Sequence, residues 1–203
     1  MKKIVLFDFD GTLSADDANI AFWKYCFRRS PRPWLFLPAI LAGFVVYGLA
    51  ILTGGGRRAT RLGLLWRELV RLFLTPAMIK RILPDFIRQH ERNRFGWAAE
   101  QIAKERAAGN FVVLTTGSPA YLVMRLLDGM EFDLIICSQV DPARPWKFRF
   151  FNYGENKVKA LRAVLGIRPN IIRAYSDSKS DLPMMKLAKE QVWINPETGC
   201  REN

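Results

Sequence analysis

Asp8 and Asp10 stand two residues apart at the end of Lys-Ile-Val-Leu-Phe-Asp-Phe (residues 3–9), a run that reads as a short, fully buried strand. Two carboxylates at that spacing, straight after a strand, project from its end toward one site. Gly11 lets the chain turn, and Thr12 is placed to cap or to hydrogen-bond. Carboxylates this close repel and ordinarily need a cation, and an oxygen-rich site suits hard Mg²⁺. A second acidic pair, Asp177 and Asp181, again follows a buried run and is spaced to reach one cation directly or through water. Each feature also has a plainer reading, as acids in a strand-end turn, a Ser/Thr cap or a solvated lysine.

The elements that must position these residues alternate. Buried strands are expected at residues 3–9, 110–115, 133–138 and 171–175, with helices at 97–108, 119–128, 155–165 and 181–189. Gly109 stops the first helix, and Gly166 with Pro169 separates the third from the next strand. Strands alternating with helices imply an α/β fold, a Rossmann-like parallel sheet with its functional groups at the carboxyl ends of the strands. Residues 14–97 break this rhythm and read as a helical insertion, so the expected division is a core of residues 1–13 and 98–203 with a cap of residues 14–97. Within the cap, Leu62, Leu65, Leu69 and Phe73 share one face of an amphipathic helix over 62–74.

The chain has 203 residues, half of them apolar, with a formal charge of +12. That length supports one full core and a modest second module, and the composition excludes a disordered chain. Residues 14–97 hold most of the basic excess, a localised field that points to a polyanion or an anionic membrane surface. Trp34–Gly56 is a stretch of 23 uncharged residues between Arg28, Arg29 and Arg32 on one side and Arg57, Arg58 and Arg61 on the other. About 20 residues suffice to cross a bilayer, but a single crossing would put Asp8 and the later strands on opposite sides. A monotopic or re-entrant anchor fits best, and a buried cap helix is the alternative. No nucleic-acid recognition motif accompanies the charge. Cys26, Cys137 and Cys200 lack metal-like spacing, and no disulfide framework or secretory leader is expected. His90 is isolated and reads as a solvated helix residue.

Asp8-Phe9-Asp10-Gly11-Thr12-Leu13 resembles the first motif of the haloacid dehalogenase superfamily of phosphotransferases. Three further segments are similar to the remaining motifs, in the same order: Thr115-Thr116-Gly117-Ser118-Pro119, Gly154-Glu155-Asn156-Lys157-Val158 and Tyr175-Ser176-Asp177-Ser178-Lys179-Ser180-Asp181. The resemblance implies that Asp8 is the nucleophile and Asp10 the general acid and base. It also implies that Thr116 and Gly117, with Gly11 and Thr12, serve the phosphate, and that Lys157 neutralises charge. Mg²⁺ would be held by Asp8, Asp10 through its backbone carbonyl, and Asp177, with Asp181 in support.

The insertion after the first motif resembles the helical cap of the phosphoserine-phosphatase-like branch. Within that branch the chain is most similar to the phosphatidylglycerophosphatase C enzymes, which implies a lipid phosphate substrate and an anionic phospholipid membrane as partner. The location implied is the cytoplasmic face of a bacterial membrane. The alternative is a cytoplasmic phosphatase of phosphoserine or another small metabolite. Asp17, nine residues after Asp8, stands where phosphoserine phosphatases carry a substrate-reading Glu.

Overall fold

The computed structural model is described for residues 2–29 and 76–201. The uncharged stretch 34–56, the helix expected at 62–74 and Arg32, Arg57, Arg58 and Arg61 lie outside the described residues. Among those described, no helix is long and apolar enough to cross a membrane.

The chain forms β1 (Ile4–Phe7), α1 (Ala18–Arg29), α2 (Pro76–His90), α3 (Trp97–Ala107), β2 (Phe111–Pro119) and α4 (Ala120–Leu126). It continues with β3 (Leu134–Asp141), β4 (Arg144–Phe150), α5 (Glu155–Leu165), β5 (Ile171–Ser176), α6 (Leu182–Met185) and β6 (Glu190–Trp193). Six strands make one sheet in the order β4-β3-β2-β1-β5-β6. All neighbours are parallel except β3 and β4. This is the α/β, Rossmann-like core expected of the alternating pattern.

β1 is central because it is apolar on both faces. Val5 and Phe7 join Val112, Leu114 and Tyr175 in the core under α1–α4, while Ile4 and Leu6 join Val113, Ala174, Leu161 and Met184 on the other side. Phe7 and Tyr175 stack with centroids 4.3 Å apart. Burying each such ring contributes about 1.5–3 kcal/mol. The chain runs outward from β1 to β2 and β3, then returns to β5 on the opposite flank. That reversal opens a crevice at the carboxyl end of β1. Register brings three strand ends level there, since Phe7 pairs with both Leu114 and Tyr175.

α1 and α2 pack on each other and on the core. Phe22 meets Phe86 at 5.1 Å and Tyr121 at 6.1 Å. His90 departs from expectation: it is 4% exposed and stacks on Phe86 at 4.9 Å, because the α1–α2 contact covers it. Two strands also went unread. β4 is an antiparallel edge whose Arg-Pro-Trp-Lys-Phe-Arg-Phe carries three charges. β6 begins directly after the segment read as a helix at 181–189, which holds only the short α6 before the chain extends to pair with β5. β2 runs on to Pro119, so α4 begins at Ala120.

Candidate active site

Asp8 extends β1 by one pairing step, its N–H donating to the Tyr175 carbonyl at 3.0 Å. The chain then turns at Gly11, where φ is +72°. A Cβ at Gly11 would lie 2.2 Å from Asp177 Oδ2, so only glycine lets the loops after β1 and β5 close together. The Thr12 hydroxyl donates to Asp177 Oδ1 at 3.2 Å and ties the same two loops.

Lys157, in the first turn of α5, reaches back to the strand ends. Its Nζ donates to Asp8 Oδ1 at 2.7 Å and to Asp181 Oδ2 at 2.6 Å, and all three side chains are buried. The Ser176 hydroxyl donates to the same Asp181 oxygen at 2.8 Å. Asp181 Oδ1 is buried and, among the described residues, has no hydrogen-bond partner. Burial lifts the Asp8 carboxyl well above the ordinary range. The Lys157 ammonium opposes that rise, while Asp181 and Asp10 add to it. Burial works to lower the Lys157 ammonium, but Asp8 and Asp181 outweigh it and hold it above its usual value.

Asp10 faces the end of β2. Its Oδ2 accepts from the Thr116 hydroxyl at 2.9 Å, and its Oδ1 accepts from the Ser118 hydroxyl at 3.0 Å and the Ala18 N–H at 2.8 Å. Burial, then the charge of Asp17, pushes the Asp10 carboxyl up to about 6. Thr116 Oγ1 also accepts from the Ser118 N–H at 3.0 Å. Behind it Asn152, fully buried, donates to Thr115 Oγ1, the Thr116 carbonyl and the Ile136 carbonyl at 3.0–3.1 Å. The sequence reading missed Ser118, Asn152 and Ser176. Ser118 stands inside a quoted motif, whereas Asn152 is polar in a strand-end context, a signal too common to single out.

Asp8, Asp10, Gly11, Asp17, Gly117, Lys157, Asp177 and Asp181 line one cavity of about 350 Å³, together with Asn19, Phe151 and Tyr153. Thr12 and Thr116 do not line it; both hydroxyls are buried in its wall, holding Asp177 and Asp10. Asp17 caps α1, its Oδ1 accepting from the Ile20 N–H at 2.8 Å.

The residues fit a hard divalent cation. Asp8, Asp10, Asp177 and Asp181 face the single ammonium of Lys157, and burial raises Asp177 as it raises Asp8, a deficit of positive charge. No three acidic, His or Cys side chains among the described residues gather closely enough to hold a metal by themselves. The Asp10 carboxylate oxygens already accept from Thr116, Ser118 and Ala18, so its main-chain carbonyl is the atom it would offer an ion. Mg²⁺ needs no more than one or two carboxylates, its other positions going to waters and phosphate oxygens.

The model of the haloacid dehalogenase-like hydrolase family matches residues 5–186. Protein CicA of Caulobacter vibrioides is 28% identical over 201 residues, covering 93% of this chain and 84% of its own. A protein of unknown function from Bordetella pertussis superposes with a TM-score of 0.71 at 18% identity, covering 98% of this chain and 93% of that one. A phospho-aspartyl intermediate analogue of phosphoserine phosphatase gives 0.57 at 16% identity, with 95% and 86% covered. At those identities the two structures speak for the fold.

Proposed function

The chain belongs to the haloacid dehalogenase-like hydrolases, and from that premise we propose that it is a phosphomonoester hydrolase working through a phosphoryl group carried on Asp8. The observation that carries this reading is the buried Lys157 ammonium 2.7 Å from Asp8, with Asp10 tethered two residues away. An Asp8 oxygen bonds to phosphorus, the ester P–O bond breaks, and its electron pair leaves with the alcohol oxygen. The Asp10 carboxyl gives that oxygen its proton. Asp10, now a carboxylate, takes a proton from water as the water oxygen bonds to phosphorus. The P–O bond to Asp8 then breaks, releasing orthophosphate and restoring the Asp8 carboxylate.

A carboxyl poised at about 6 is suited to both proton transfers near neutral pH. Thr116 and Ser118 orient it, Lys157 keeps positive charge beside the nucleophile, and Asp181 holds Lys157 in place. Mg²⁺, held by Asp8, the Asp10 carbonyl and Asp177, would supply the remaining charge that offsets nucleophile and phosphate. A barrier reduction of about 20 kcal/mol is beyond one positioned acid, so these groups act together.

For substrate, a small phosphate ester is the better supported class. The cavity is about 350 Å³, and a phosphoserine phosphatase stands among the structural neighbours. Residues 14–97 act as the cap, with Asp17 and Asn19 meeting the leaving group. A second reading is phosphatidylglycerophosphate at an anionic membrane surface, favoured by the 23 uncharged residues 34–56 between arginines. Mg²⁺-dependent phosphate release from phosphoserine and from phosphatidylglycerophosphate in mixed micelles, with Asp8→Asn as control, separates them. A preference of about 100-fold in kcat/KM, roughly 2.7 kcal/mol, assigns the class. Release from neither, nor from p-nitrophenyl phosphate, overturns the phosphatase reading.

A further inference from the structure

The loop between β4 and α5 presents two aromatic rings to the cavity that Asp8 and Lys157 line, those of Phe151 and Tyr153. The rings stack on each other, centroids 5.3 Å apart and planes within 8°, and Phe148 backs Phe151 at 4.9 Å. Even so, Phe151 is 44% and Tyr153 51% exposed. Among the described residues Tyr153 has no ring neighbour besides Phe151. An open apolar surface thus interrupts a wall otherwise made largely of carboxylates, an ammonium, hydroxyls and backbone.

The ring pair is held, not loose. Asn152 between the two rings is fully buried and locked by its three acceptors on β2 and β3, and the Tyr153 N–H donates to the Phe151 carbonyl at 3.0 Å, a tight turn about Asn152 that leaves both rings outside it. The pair also stands beside the phosphate end of the cavity. A Cβ on Gly117, next to Thr116 at the end of β2, would touch Phe151 Cε2 and Tyr153 Cδ2 at 3.8 Å each. A phosphate ester seated against Asp8 would share this cavity with the two rings.

Resting on the phosphatase reading, we propose that Phe151 and Tyr153 form the apolar part of the leaving-group subsite that Asp17 and Asn19 also line, and that the substrate is a phosphate monoester whose alcohol bears a flat apolar group lying against the two rings. Stacked rings accept a further flat group in the same offset-parallel geometry. The contact draws on a part of the substrate remote from phosphorus, which is where selectivity between esters of equal reactivity arises.

The test compares ethyl phosphate with phenethyl phosphate in the presence of Mg²⁺, two esters with the same kind of primary alkoxide leaving group. The expected kcat/KM is about 10-fold higher for phenethyl phosphate, most of it in KM. Tyr153→Ala and Phe151→Ala bring the ratio toward one. Tyr153→Phe, which keeps the ring, preserves it, as does Ile167→Ala, outside the cavity lining. A wild-type ratio near one, or a ratio that survives both alanine variants, overturns the subsite and leaves the phosphatase reading standing. If neither ester, phosphoserine nor p-nitrophenyl phosphate releases phosphate, the phosphatase reading itself has failed and the subsite falls with it.

Discussion

The Lys157 ammonium lies 2.7 Å from Asp8 Oδ1, and each side chain is less than a tenth exposed. In so dry a place the pair is held by mutual need, because either charge alone is costly to bury. Lys157→Met leaves Asp8 and Asp181 facing each other without a cation. We expect a loss of about 3 kcal/mol in unfolding free energy, read by urea denaturation, together with loss of turnover. Full stability with activity intact would remove Lys157 from the site.

The hydroxyls that hold Asp10 make a separate prediction. Thr116→Val removes the donor to Asp10 Oδ2 and the acceptor of the Ser118 N–H. The expected result is a fall in kcat of about 10–100-fold with KM little changed, since the role proposed for Asp10 is proton transfer. Thr116→Ser, which keeps the hydroxyl, restores most of it. A rise in KM with unchanged kcat would instead assign Thr116 to substrate binding.

Gly11 provides a test of the cation. Its φ of +72° and the 2.2 Å between an added Cβ and Asp177 Oδ2 mean that Gly11→Ala must push Asp177 away. The left-handed conformation alone costs about 1 kcal/mol. The Mg²⁺ concentration for half-maximal activity should rise by about 10-fold or more, and chelation of Mg²⁺ should abolish activity in the wild type. An unchanged Mg²⁺ requirement would place the ion elsewhere.

His90 sets a pH dependence of stability. Burial lowers its pKa, against the pull of Asp16 and Asp17. The unfolded chain titrates near the ordinary value of about 6.5, so the folded state binds fewer protons just below that pH. The stability due to neutral His90 is therefore full above about 6.5 and is lost as pH falls toward the lower folded value. Melting temperatures followed from pH 8 to pH 5 should show wild type losing ground to His90→Phe, which keeps the ring stacked on Phe86. Parallel curves would contradict the buried, neutral histidine.

Legibility followed burial. β1 could be read because both faces are covered and its apolar run is unbroken, and β5 because Arg173 alone breaks its run with a charge; the acids that follow each strand stand out against those runs. β4 could not, because its charged residues disguise an edge strand. β6 has four residues, and Val192 alone among them is buried. Lys157 was legible only through the likeness of Gly154-Glu155-Asn156-Lys157-Val158 to a family motif, and nothing in it told that the side chain bridges Asp8 to Asp181, residues 149 positions before and 24 after it. Asn152 and His90 escaped for the same reason: what they touch is decided by tertiary packing, and neither has a local pattern.

Phosphoryl transfer through Asp8 would leave a covalent trace on the protein. The most direct measurement is to acid-quench the protein during turnover of a phosphate ester and to locate any phosphoryl group by peptide mass spectrometry. The expected result is a hydroxylamine-labile phosphoryl group on the peptide containing Asp8, absent from Asp8→Asn, which should also release no phosphate. Label on another residue, or continued turnover by Asp8→Asn, would contradict it.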